Sequence, residues 1–66
     1  MCRIINSRCV DLKNGVYFMV FWCDDIDNVE VPEQMTLAGG SIAVETTSEA
    51  VTYYIYNEDS GDWVAS

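Results

Sequence analysis

Acidic side chains dominate whatever chemistry this sequence could do. Asp24 to Glu30 reads DDIDNVE and Asn57 to Gly61 reads NEDSG. Carboxylates and an Asn at short spacing are hard oxygen ligands of the kind calcium takes. An EF-hand loop, however, wants a Gly at its sixth position and a Glu at its twelfth, and neither stretch supplies them. The favoured reading of the first is a solvated acidic loop and of the second a plain turn. Pairs such as Asp24-Asp25 and Glu58-Asp59 have the composition of a glycosidase acid and base. Such a pair needs a concave pocket to raise one pKa, and 66 residues leave little room for one. There is no His to act as a base near neutral pH, and Ser41, Ser48 and Ser60 have no recognisable activating neighbour. Gly39-Gly40 is too short for a phosphate-binding loop and lacks a following Lys. Neither an enzyme nor a cofactor is expected, and no catalytic, cofactor-binding or metal-ligating residue is assigned.

The three cysteines, Cys2, Cys9 and Cys23, form no CxxC, so zinc would need carboxylates to complete its shell. If Asn14-Gly15 is a two-residue type I′ turn, Cys9 faces Val20 and Cys23 faces Asn6, and no cysteine pair meets across the hairpin. Met1-Cys2-Arg3 reads as an ordinary start without a signal peptide, and a reducing cytoplasm then suits all three as thiols. Cys23 itself, at the end of an apolar run, reads as a small buried hydrophobe.

That run, Val16 to Cys23 (VYFMVFWC), is the element the chain must organise itself around. A strand covered on one face alternates apolar with polar, so eight apolar residues in a row imply cover on both faces. Its β-branched and aromatic content, with Asn14-Gly15 before it, argues for a central strand. The expected fold is all-β: a small antiparallel meander, barrel-like or sandwich-like, forming one domain over residues 1–66. An N-terminal hairpin occupies 1–25, an acidic loop and turn 26–40, and a three-stranded meander 41–66. Ile4, Val10 and Leu12 are expected to share a face with Tyr17, Met19, Phe21 and Cys23. Ile5 and Cys9 would share the other with Val16, Phe18, Val20 and Trp22. Pro32 to Leu37 is compatible with one helical turn, Pro first and Gly39 as the stop. Ser41 to Glu45 alternates, Val51 to Tyr56 is rich in strand formers, and Trp63-Val64 lie in a short last strand.

The C-terminal third carries a resemblance. Gly40-Ser41-Ile42-Ala43-Val44, a short polar turn, Tyr54-Ile55-Tyr56-Asn57 and then Gly61-Asp62-Trp63-Val64 resemble a β meander in small structural proteins of tailed bacteriophages. That segment occurs in head fibre, capsid-associated and tail-associated proteins. The resemblance spans Gly39 to Val64. Where the family commonly has an Asp-Thr-Gly turn, this chain has Thr46-Thr47-Ser48-Glu49. It implies a virion component, made in the host cytoplasm, that associates through β surfaces.

Size and charge narrow the function classes. A domain of this length buries only about 60% of the surface its unfolded chain exposes, and without disulfides or metal it is expected to lean on oligomerisation or docking. The net charge is −8, with all three bases (Arg3, Arg8, Lys13) in the first thirteen residues and ten acids from Asp24 onward. Direct nucleic-acid binding is disfavoured, and no stretch approaches the roughly 20 apolar residues that span a bilayer as a helix. The expected function is therefore a non-enzymatic structural protein, a minor virion component bound to capsid or neck and tail subunits or to copies of itself. Tyr17, Phe18, Met19, Val20, Phe21 and Trp22 are expected to carry the interface or shared core, with Tyr54, Tyr56 and Trp63 as a second surface. For the paired tyrosines and Trp63, ordinary core or cross-strand packing is the favoured reading over partner contact. The alternative is a small acidic inhibitor that imitates the charge of DNA and blocks a host nucleic-acid-binding protein, with the acids of Asp24 to Glu33 and Glu45 to Asp62 as its working parts.

Overall fold

The apolar run forms the centre of a single sheet. In the computed structural model, which describes residues 2–66, β1 (Cys2–Asp11) and β2 (Val16–Cys23) make the expected antiparallel hairpin; Met1 lies outside the described residues. On its other side β2 is flanked by two parallel partners in succession, β3 (Thr36–Leu37) beside Val16 and Tyr17 and β4 (Ile42–Thr46) beside Val20 to Cys23. The meander then continues antiparallel through β5 (Val51–Asn57) to β6 (Asp62–Ala65). The strand order is β1-β2-β4-β5-β6, with β3 beside β2 off this path. The protein is all-β as expected, but the sheet is mixed and open, with β1 and β6 at its two edges. Parallel neighbours require a long connection. The acidic segment after Cys23 supplies it.

The hairpin register differs from a two-residue turn. A type I′ turn needs positive φ at both central residues. Among the described residues only glycines have positive φ, and in this turn it is Gly15, at 66°. The chain instead turns over Leu12 to Gly15, closed by the Gly15 N–H donating to the Leu12 carbonyl at 3.3 Å. The Asp11 carboxylate accepts from the Asn14 backbone N–H at 3.3 Å and from its side-chain amide at 2.7 Å. Register irregularities then fall between Ile4 and Asn6 and between Cys9 and Asp11. The result sets Cys9 opposite Tyr17, Asn6 opposite Val20 and Cys2 opposite Cys23. The expectation that no two cysteines meet is thereby overturned. Val10 falls at the second irregularity, and Leu12 stands in the turn, 82% exposed.

The expected helical turn at Pro32 to Leu37 is absent. The Met35 N–H donates to the Pro32 carbonyl at 2.9 Å, making a single tight turn, and the next residues join the sheet. Thr36 donates to Gly15 and Ala38 to Tyr17, both at 2.8 Å. One isolated helical turn carries the full nucleation cost for a single hydrogen bond, whereas the edge of β2 offers partners already in place. The helical piece lies earlier, a 3-10 turn at Ile26–Asn28 inside the acidic loop, where Asp25 Oδ1 accepts from the Asp27 N–H at 3.0 Å.

This crossover supplies the second layer of the core. Ile26, Val29, Val31 and Met35 pack against Met19, Phe21, Leu37 and Ala43 on one face of the sheet. Trp63 meets Phe21 edge-on at 6.0 Å and Tyr56 at 5.3 Å between ring centroids, closing the same core from β6. Glu45 fastens the layer, accepting from the Ile26 N–H at 2.8 Å.

Candidate interaction surface

Side chains on a strand alternate between the two faces of its sheet, and in this chain the faces are finished differently. Met19, Phe21 and Cys23 are buried beneath the crossover. Phe18, Val20 and Trp22, the residues between and beside them, point the other way and are only half-buried. Following the register across the sheet places Ile42 and Val44 of β4, Val51, Tyr53 and Ile55 of β5, and Val64 of β6 on that same side. Tyr53 is 55%, Ile55 45% and Val64 50% exposed. Among the described residues no element crosses this face, since the apolar residues of the connection pack on the opposite one. Contiguous apolar surface rather than scattered single residues is what marks an interaction site.

The charged residues of this face lie towards its edges. Arg3 pairs with Trp22 and its guanidinium sits 5.6 Å from the indole ring, while Arg8 pairs with Phe18. Asp62 pairs with Asn57 at the far edge, and Asp11, opposite Val16, is engaged by Asn14. These two bases and two acids balance, in a chain whose net charge is −8.

The residues expected to form interfaces divide between the two sides. Phe18, Val20 and Trp22 lie on the open face. Met19 and Phe21 are in the chain's own core, with Tyr17 half-buried beside them. Tyr54, Tyr56 and Trp63 pack against that core from β5 and β6. Sequence reasoning passed over Ile42, Val44, Tyr53, Ile55 and Val64 as contact residues. The signal was present in Val51 to Tyr56, which is apolar or aromatic on both sides of its alternation, so that either side could have faced inward.

The polar side chains beneath the crossover serve the fold. Ser41 is fully buried at the junction where β3 hands over to β4. There the ladder along β2 is interrupted, and the Ser41 hydroxyl accepts from the Met19 N–H at 3.2 Å while donating to the Ala38 carbonyl at 2.8 Å. This satisfies a backbone donor that burial would otherwise orphan. Burial raises the pKa of Tyr54, and the adjacent Glu45 carboxylate, to which its hydroxyl is hydrogen-bonded, adds to the effect. Burial likewise raises Cys23 from an ordinary value near 9 to about 11, with Cys2 beside it contributing, and raises Cys2 too. Neither thiol is poised as a nucleophile at neutral pH. Among the described residues, no three His, Cys, Asp or Glu side chains converge as metal ligands would. No family model, curated protein or solved structure matches this chain.

Proposed function

We propose that this is a non-enzymatic structural protein whose work is to be built into a larger assembly through the open face of its sheet. The observation that carries this reading is the split within β2, which hides Met19, Phe21 and Cys23 in its own core but leaves Phe18, Val20 and Trp22 without a covering layer. The hydrophobic effect disfavours leaving such area in water by roughly 25 cal/mol per Å². The particle is proposed to be a tailed-phage virion, with the protein a minor component contacting capsid or neck and tail subunits. That part rests on the likeness of Gly39 to Val64 to phage structural proteins.

Charge mimicry of DNA is the second reading. Its support is the acid-rich segment from Asp24 to Glu33 on the side of the sheet away from the open face. These acids lie in a loop and a 3-10 turn, not in a regular double row, which favours the structural role.

Sedimentation with assembled particles tests the choice. The protein is expected to travel with particles through a density gradient and stay bound when salt rises to about 0.5 M, where charge contacts between exposed groups are largely screened. Recovery only as free protein, or release from a basic partner as salt rises, would overturn the structural reading.

A further inference from the structure

We infer that the open face is covered by the same face of a second copy of this chain, giving a two-sheet sandwich. The inference deepens the assembly reading and rests on it. Three observations select this occupant. The first is breadth: the apolar positions of this face run across β2, β4, β5 and β6, in a molecule whose longer extents are 41 and 21 Å, and a standard stable interface buries roughly 800 Å² on each partner. The second is chemistry. Sheets stack face to face about 10 Å apart when side chains on both inner surfaces interdigitate. Phe18, Val20 and Trp22 with Ile42, Val44 and Ile55 supply half of such a core and lack only its complement.

The third observation is charge. Two copies of a chain with net charge −8 repel each other, so self-association requires that the contact surface not carry that charge. This one does not. Its Arg3 and Arg8 balance Asp11 and Asp62, while the segment that bears Asp25, Asp27, Glu30 and Glu33 packs through Ile26, Val29 and Val31 on the opposite side of the sheet. An acidic partner would find no basic field here, and a basic one would be drawn to the other face. A two-fold interface apposes one patch to itself. With its axis parallel to the strands, β1 of each copy lies across from β6 of the other, bringing Arg3 and Arg8 towards Asp62. With the axis across the strands, arginine would face arginine. The geometry points to the first arrangement.

Light scattering on the purified chain, coupled to gel filtration, tests this. The expected mass is twice the 7.4 kDa of one chain. Ile55→Lys and Tyr53→Lys alter side chains that are about half exposed in the single subunit, so each is expected to halve the mass while circular dichroism still reports a folded sheet. Leu12→Lys, apolar and exposed but in the hairpin turn, is expected to leave the dimer intact. Arg8→Glu should weaken the dimer, and adding Asp62→Arg should restore it. A dimer indifferent to Ile55→Lys and Tyr53→Lys would overturn the inference. So would a soluble wild-type monomer. If that monomer still enters particles only with Ile55 and Tyr53 intact, the assembly reading stands with a different partner; if it enters without them, or not at all, both fall.

Discussion

The two sides of β2 make a controlled comparison within one strand. Met19, Phe21 and Cys23 share a strand, its neighbouring strands and an apolar character with Phe18, Val20 and Trp22, yet only the first set is buried. What separates them is the crossover from Asp24 to Ser41, which lays Ile26, Val29, Val31 and Met35 over one face. Residue type alone therefore does not decide burial here. In a chain this small the length of the one long connection allows a covering layer on a single side, and the other side is left uncovered.

The comparison can be broken most sharply by truncating its buried half. Phe21 is 1% exposed and underlies Trp63, so Phe21→Ala is expected to cost about 3–5 kcal/mol, enough to unfold much of a domain of this size in urea titration. Comparable losses from Phe18→Ala in a monomeric background such as Ile55→Lys would mean the two faces are equally structural.

A smaller effect sharpens the role of the strand junction. Ser41→Ala leaves the buried Met19 N–H without its acceptor and is expected to cost about 1–3 kcal/mol. No measurable change in the urea midpoint would show that the junction does not depend on the hydroxyl.

Next in size is the response to alkali. The folded-state pKa of Cys23 lies above its unfolded value, so the unfolded chain releases its proton first. The stability this thiol contributes is fully present below pH 9 and is lost as pH rises towards about 11. Thermal melts across that interval are expected to fall. Alkylation followed by mass spectrometry should modify exposed Cys9 first, half-buried Cys2 next and buried Cys23 last. Equal rates for Cys9 and Cys23 would contradict the burial assigned to the covered face.

The smallest effect belongs to the open side. In the same monomeric background Tyr53→Ser is expected to alter subunit stability by no more than about 0.5 kcal/mol, as surface substitutions usually do. A loss of several kcal/mol would mean that this face is packed within the subunit.

Much of this was legible in the residues themselves. The apolar, β-branched and aromatic run from Val16 to Cys23 determined a central strand. The alternation of Ile42 and Val44 and the composition of Val51 to Tyr56 determined the C-terminal meander, because these are local properties of pleat and side-chain shape. The need for cover on both sides of β2 was equally visible. Three things were decided only by the tertiary structure. One was the parallel insertion of β4 beside β2, which local preference does not encode. Another was the hairpin register, since one extra residue in a strand moves its neighbours to the opposite face, and two irregularities brought Cys2 to Cys23. The last was which side of the sheet receives the crossover. Both sides are apolar enough to accept it, and the choice falls to where a long acidic connection can place Ile26, Val29 and Met35 while Glu45 holds its start.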